Sequence, residues 1–446
     1  MSALNSKHSF FRQSTWMVIA TLVGGLCMLL VHTVTARMGK QEYSSFGAML
    51  RLMIIMGIPG SALQTIFARQ AAAATTAEEE EQLRATTRVL LGCTFLTGMV
   101  TSTILFTSAH PIARLLKVSN PVAIYFSAFL ALTGMWVPIG RGLLQGKHNF
   151  GGLGWLQIIE GVVRFSIVLV AVMAMAGKAV SAMFAVMVGQ LITVGLTAWM
   201  TRSIWRTRAT VSFRWKPWFA AAVPLTLGSG TVLAMQGIDT LFVQGLFPDA
   251  AQTALYIAAM LTGFSIIQFI APVALVMFAR IAKNAARSER SDSLRLTLTA
   301  TLLFGVAAAI GCTILPKLPL QVIYFSKRAM WDAAPLVPWY AWALVPLTAA
   351  NVLVQNLLAR GQFKAVPWLI MVPVLYAAAL CGQAHALIDM KPFDAFIRVI
   401  QTLGGASLLL CAVAAWFCRS VPPSAVPGRD LAAARVTSCK ASSPPV

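Results

Sequence analysis

The stretch TRSIWRTRATVSFRWKPW, residues 201–218, divides the chain into two parts. It contains no acidic residue and five basic ones: Arg202, Arg206, Arg208, Arg214 and Lys216. An apolar block lies on each side of it, and the hydropathy of each block allows six membrane spans. We therefore expect a basic linker between two six-helix lobes, residues 1–200 and 219–418, followed by a disordered tail at 419–446.

The composition is that of an integral membrane protein. Of 446 residues, 58% are hydrophobic and 11% are charged, with a mean hydropathy of +0.75, whereas an average soluble domain is about 25% charged. The apolar runs are long enough to cross a hydrocarbon core of ~30 Å as helices, and they lack the alternation of a membrane barrel. The sequence thus predicts an all-α membrane protein.

About twelve transmembrane helices are expected, in two lobes related by a pseudo-two-fold axis along the membrane normal. A weak repeat supports this symmetry, since residues 143–150 and 357–364 both read as Leu-Leu, Gly and Phe in a basic turn. The predicted spans are 15–36, 46–68, 88–107, 120–143, 152–174, 179–200, 219–244, 253–279, 294–315, 334–358, 365–386 and 394–417.

The distribution of Lys and Arg predicts the orientation. Of the 35 basic residues, 23 fall on the side that carries both termini and 9 on the other. Because cytoplasmic loops collect Lys and Arg, we expect both termini and the linker in the cytoplasm. The net charge of +21 does not indicate a nucleic-acid partner, because the basic residues are scattered over short loops instead of one soluble face.

Charged residues inside the predicted spans are the candidate binding residues, because each costs ~2.5–3.5 kcal/mol near a helix centre. Glu160 and Arg164 lie four residues apart in the fifth span and can pair on one face of the helix. Two interpretations stay open for them. They form a structural pair, or they line a wet cavity where they meet substrate or a proton.

Arg51 and Asp239 lie at similar depths in opposite halves, in the second and seventh spans. We expect both to face a central cavity, where Arg51 would hold an anionic phosphate. Asp239 would hold sugar hydroxyls, or Arg51 itself when the site is empty. The alternative is that Arg51 snorkels to the interface and Asp239 caps a kink. Arg398, near the start of its span, is expected to snorkel.

The remaining motifs argue for transport. Prolines that lie in or near spans are expected to bend helices or free backbone groups: Pro59, Pro138, Pro224, Pro272 and Pro346. The sequence contains no HExxH, GxSxG or Walker motif, so we expect neither an enzyme nor a metal site.

Residues 35–47, TARMGKQEYSSFG, resemble the Leu-Gly-x-x-x-Tyr-Gly-x-Phe pattern that follows the first helix of the polysaccharide (oligosaccharide) flippases. Met38 replaces the Leu and Ser44 replaces the Gly. These flippases belong to the multidrug/oligosaccharidyl-lipid/polysaccharide exporter superfamily. Further segments are similar to the same family's helices four to eight: 143–150 followed by Glu160 and Arg164, Asp239 with 254–256, and 278–281.

The resemblance implies a monomeric flippase of the bacterial cytoplasmic membrane. It would move an undecaprenyl-pyrophosphate-linked oligosaccharide by alternating access. Glu160 and Asp239 are candidates for H⁺ or Na⁺ coupling, and the expected partners are the lipid-linked glycan, membrane lipids and other polysaccharide-assembly proteins. A cation-coupled drug or metabolite exporter of the same superfamily stays open as an alternative. A major-facilitator-type transporter also stays open as an alternative, although residues 69–84 lack the basic loop pattern of that group.

Overall fold

A computed structural model of the chain describes residues 2–174, 178–207, 211–213, 215–247, 249, 251–265, 293–325 and 327–419. Within these ranges the chain is helical and contains no strand. The N-terminal helices are α1 Ser2–Thr35, α2 Lys40–Met56, α3 Ile58–Ala73, α4 Ala77–Thr107, α5 Ala109–Leu115, α6 Val122–Thr133, α7 Trp136–Gly146, α8 Phe150–Ala174, α9 Ala179–Met200 and α10 Arg202–Trp205.

The C-terminal helices are α11 Trp215–Met235, α12 Ile238–Leu246, α13 251–265, α14 Ser293–Ile314, α15 Lys317–Ile323, α16 Val337–Ala359, α17 Val366–Ile388 and α18 Pro392–Arg419, with 3-10 turns at Arg328–Leu336 and Phe363–Ala365. We call the side of the bundle on which α1 ends the distal side. The side on which α3 ends is the proximal side.

Nine stretches of the described chain are long and apolar enough to cross a membrane, and α2 with α3 makes a tenth when the bent pair counts as one span. These ten correspond to predicted spans two to seven and nine to twelve. The first predicted span lies in α1, and the eighth is described only as far as residue 265.

Two spans are broken where the sequence places glycine. The second span bends by 43° between α2 and α3, at Gly57. Pro59 lies in the first turn of α3, where a proline costs least because the backbone N–H that it lacks would have no partner within the helix. The seventh span breaks between α11 and α12 at Gly237. Asp239 therefore lies in the first turn of α12, at the positive end of the helix dipole.

The other predicted prolines have different positions. Pro224 and Pro346 lie inside α11 and α16, and Pro138 lies in the first turn of α7. Pro272 is outside the described residues.

The helices pack mainly within two groups. Helix α1 packs against α8, α8 against α9, α3 against α7 and α4 against α6, whereas α16 packs against α14 and α18. Between the groups, α3 lies along α11 and α2 contacts α12. The α1–α8 contact depends on small residues, because a Cβ on Gly161 would lie 2.9 Å from the Cα of Gly24.

Several sequence predictions need correction. The helix that contains the first predicted span, 15–36, already begins at Ser2. Arg141, counted among the 23 basic residues of the cytoplasmic side, lies inside α7. Helix α4 starts at Ala77, eleven residues before the predicted span at 88, because a capping box of Thr76 and Glu79 begins it early.

Candidate functional site

Arg51 lies buried where α2 meets the C-terminal helices, with only 6% of its surface exposed. Its Nη1 donates to the carbonyl oxygen of Gln236 at 3.5 Å, and its Nη2 points at the sulfur of Met260. Its guanidinium carbon lies 4.6 Å from the ring centroid of Phe264. All three neighbours are neutral, so a buried cation is held without a carboxylate in contact, an arrangement that favours the approach of an anion.

Asp239 is completely buried and fully hydrogen-bonded. It accepts hydrogen bonds from the backbone N–H of Thr240 at 2.7 Å, from the Tyr256 hydroxyl at 2.8 Å and from the Tyr340 hydroxyl. The two tyrosine oxygens lie 2.8 Å apart. Helices α12, α13 and α16 thus converge on one carboxylate.

Arg51 and Asp239 belong to the same interface but do not form an ion pair in the described structure. Each has its own set of partners, although their opposite charges attract across the interface. Arg51 is buried, so it does not snorkel as the alternative expected. Asp239 lies directly after the break at Gly237, which is the position that the kink alternative expected.

Glu160 and Arg164 form a second cluster, within the N-terminal helices. Arg164 Nη2 donates to Glu160 at 3.2 Å and to Gln190 of α9 at 3.2 Å. Arg141 of α7 pairs with the other carboxylate oxygen of Glu160. Two arginines therefore share one carboxylate, and the Nε of Arg164 is buried with no hydrogen-bond partner. The cluster has a net positive charge.

The four predicted site residues thus lie in two clusters instead of one. Sequence reasoning missed Arg141, although the predicted fourth span, 120–143, already included it. Arg398 is exposed and donates to Gln383 at 3.3 Å, as a snorkelling residue would.

A polar network joins the two helix groups on the distal side. Ser44 of α2 donates to Gln244 of α12 at 2.5 Å and lies 2.6 Å from the hydroxyl of Thr253 in α13. Gln244 in turn donates to the carbonyl oxygen of Leu116 at 2.8 Å. These side chains are buried.

Three further contacts belong to the same network. The hydroxyl oxygens of Tyr43 and Tyr324 lie 2.7 Å apart, Thr33 donates to the carbonyl of Ile323 at 2.6 Å, and Lys117 donates to the carbonyl of Phe247. We call the two sets together the distal seal. Sequence reasoning missed it, because uncharged polar residues near helix ends do not stand out in a hydropathy pattern.

Proximal contacts between the groups are of another kind. Ser61 of α3 donates to Ser229 of α11 at 3.3 Å, and a Cβ on Gly230 would lie 2.4 Å from Ile58. Among the described residues, polar contacts between the groups therefore concentrate on the distal side. No cluster of three or more His, Cys, Asp or Glu suited to a metal ion occurs in the part of the chain that the structure describes.

Solved structures share this architecture at low sequence identity. An inward-facing multidrug resistance MATE family transporter of the MOP superfamily superposes with a TM-score of 0.70 at 11% identity, covering 96% of this chain and 100% of that chain. The lipid II flippase MurJ in an inward closed conformation gives 0.68 at 13% identity, covering 91% and 88%. A MOP superfamily transporter from Pyrococcus furiosus gives 0.66 at 11%, covering 92% and 94%.

The chain is therefore an all-α integral membrane protein with the fold of MOP superfamily transporters, and the prediction of two six-helix lobes is confirmed. A family model described as polysaccharide biosynthesis protein matches residues 10–285, and the chain belongs to that family. No curated protein matches the sequence significantly. We call helices α1–α9 the N lobe and helices α11–α18 the C lobe. The predicted boundaries of the linker remain predictions.

Proposed function

We propose that this protein is a flippase that carries an oligosaccharide linked to undecaprenyl pyrophosphate across the bacterial cytoplasmic membrane. The observation that carries the proposal is the guanidinium of Arg51, buried between the lobes without a carboxylate in contact. A pyrophosphate would supply the missing anion through charge-assisted hydrogen bonds. Membership in the polysaccharide biosynthesis family supports this cargo, as does the fold shared with a lipid II flippase.

The distal seal defines how the cargo would move. With the seal closed, the polar head would enter between the lobes from the proximal side while the lipid tail stays in the bilayer. Breaking the seal would then expose the head to the distal side. We take the proximal side as cytoplasmic, with both termini there, because the sequence assigns most basic residues to that side even after Arg141 joins an intramembrane pair.

Asp239 is our candidate for H⁺ or Na⁺ coupling. Its oxygens are occupied by the hydroxyls of Tyr256 and Tyr340, so a sugar hydroxyl could bind only by displacing one of them. Glu160 is the weaker candidate, because two arginines already neutralise it. The sequence has no Walker motif, so the cargo gradient or an ion must supply the driving force.

A cation-coupled exporter of drugs or metabolites is the second candidate function, since a multidrug resistance transporter has the same fold. Two features disfavour cationic cargo. Arg51 would repel it at the lobe interface, and the Arg141–Glu160–Arg164 cluster has a net positive charge. We propose a monomeric transporter in both cases, working beside other polysaccharide-assembly proteins in the first.

Glycan export in cells tests the proposal. Arg51→Ala and Asp239→Asn should each lower export at least about tenfold, because each removes a charge-assisted interaction of ~1.5–3 kcal/mol. Membrane abundance should not change. Arg398→Ala is the matched control, because this arginine is exposed and lies outside both clusters. Normal export in both Arg51→Ala and Asp239→Asn would show that neither residue takes part in transport.

A further inference from the structure

The described part of the linker has one face fixed to the N lobe. Ile204, Phe213 and Trp218 pack against a cluster of buried side chains from α3, α4 and α7, and Trp218 also packs against the core of the C lobe. Trp205 folds back on α9, where its indole N–H donates to the carbonyl oxygen of Ala198 at 2.9 Å. The linker is therefore held in place on the proximal side and is not a solvated loop at these residues.

Other side chains of this region are exposed, and they include aromatic rings and cations. The ring of Trp199 is 60% exposed, with the guanidinium carbon of Arg202 5.1 Å from its centroid. Trp215 is 46% exposed and stacks on Phe219, with ring centroids 5.8 Å apart. Arg206 and Lys216 are exposed beside them. We call Trp199, Arg202, Arg206, Trp215 and Lys216 the linker shelf.

Two glutamates of the nearest acidic segment, Glu79 and Glu80, bond to groups other than these cations. Helix α10 packs on α4, which begins with a run of glutamates. Glu79 accepts hydrogen bonds from Thr75 and Thr76 at its own helix start, and Glu80 pairs with Lys147 at 2.6 Å. Both carboxylates have partners other than the shelf, and residues 201–218 contain no acid.

We infer that the linker shelf binds the headgroups of anionic phospholipids in the leaflet on its side of the membrane. Exposed tryptophans belong at the depth of the headgroups, and basic residues held at that depth attract anionic lipid. The five shelf residues are exposed, whereas Arg51 is buried between the lobes, which favours a bilayer lipid over the transported pyrophosphate as the ligand of the shelf. Bound lipid would tie the end of α9 to the start of α11.

Native mass spectrometry of the purified full chain tests this inference independently of any transport assay. With phosphatidylglycerol and phosphatidylcholine offered together, the wild type should retain phosphatidylglycerol preferentially. The variant Arg202→Gln/Arg206→Gln/Lys216→Gln should weaken that retention at least about tenfold, and salt at high concentration should mimic the variant. A charge-keeping variant, Arg202→Lys/Arg206→Lys, should bind like the wild type.

The matched control is Arg114→Gln/Lys178→Gln/Lys391→Gln, which removes three exposed cations from the distal side. It should keep the preference for phosphatidylglycerol. Equal retention by the wild type and the shelf variant would overturn the inference, and so would an equal loss in the distal control. Soluble inorganic pyrophosphate displacing the lipid at stoichiometric concentration would assign the shelf to a phosphate ligand instead.

Discussion

Replacing Gln244 by Ala should open the distal side. The substitution removes two hydrogen bonds that cross between the lobes, one from Ser44 at 2.5 Å and one to the Leu116 carbonyl at 2.8 Å. Each is worth ~0.5–1.5 kcal/mol net, and side-chain bonds between membrane helices average near the lower value. The seal should therefore weaken by about 1–3 kcal/mol, which shifts the ratio of distal-open to distal-closed molecules by about 5- to 150-fold.

Distance distributions between spin labels at Asn120 and Lys391 would measure this shift. Both positions are exposed on the distal side, one in each lobe, and the labels require a background without the native cysteines. In Gln244→Ala the long-distance population should grow. Gln383→Ala is the control, because Gln383 is half-buried and its hydrogen bonds in the described structure lie within the C lobe. Identical distributions for the wild type and Gln244→Ala would refute the role of the seal.

Three other predictions concern stability. Glu160→Gln leaves two arginines without their carboxylate and should lower the free energy of unfolding by roughly 3–5 kcal/mol. The thermal midpoint in detergent should fall, and a second change, Arg141→Gln, should partly restore it. An unchanged midpoint would contradict the pairing. Gly161→Leu should lower the folded yield on size-exclusion chromatography, because its side chain would collide with Gly24, whereas Gly405→Leu, which meets open space, should not. Glu79 lies ahead of the apolar part of α4, and hydrogen bonds from Thr76 and Thr75 lower its pKa from 4.5 to about 2. Its stabilisation of the helix start is therefore complete above pH ~4.5 and is lost as the pH falls towards 2, so the protection of residues 76–80 from hydrogen exchange, taken relative to the intrinsic rate at each pH, should fall over that range in the wild type and stay flat in Glu79→Gln.

Hydropathy and charge predicted the helical spans well, because a span needs about 20 apolar residues wherever it lies in the chain. The same pattern placed Arg51 and Asp239 at similar depths in opposite halves, and the structure brings both to the lobe interface. Residues inside a span are conspicuous when they are charged, so these two could be found without coordinates.

The side chains that these charged residues contact could not be found from the sequence, because contacts depend on how helices rotate and cross. Arg141 lies only nineteen residues from Glu160 in sequence, yet their pairing follows from the packing of α7 beside α8. The bond between Ser44 and Gln244 joins residues 200 positions apart. Neither side chain of that bond is charged, so a hydropathy profile gives it no signal.

Flipping by the purified protein in proteoliposomes tests the central claim most directly. A fluorescent oligosaccharide linked to undecaprenyl pyrophosphate would be placed in one leaflet, and its arrival in the other would be followed by a membrane-impermeant quencher. Vesicles with the wild type should flip the lipid, Arg51→Ala should be at least about tenfold slower, and Arg398→Ala should match the wild type. Equal rates in wild-type, Arg51→Ala and protein-free vesicles would contradict the claim that this protein carries a lipid-linked glycan through Arg51.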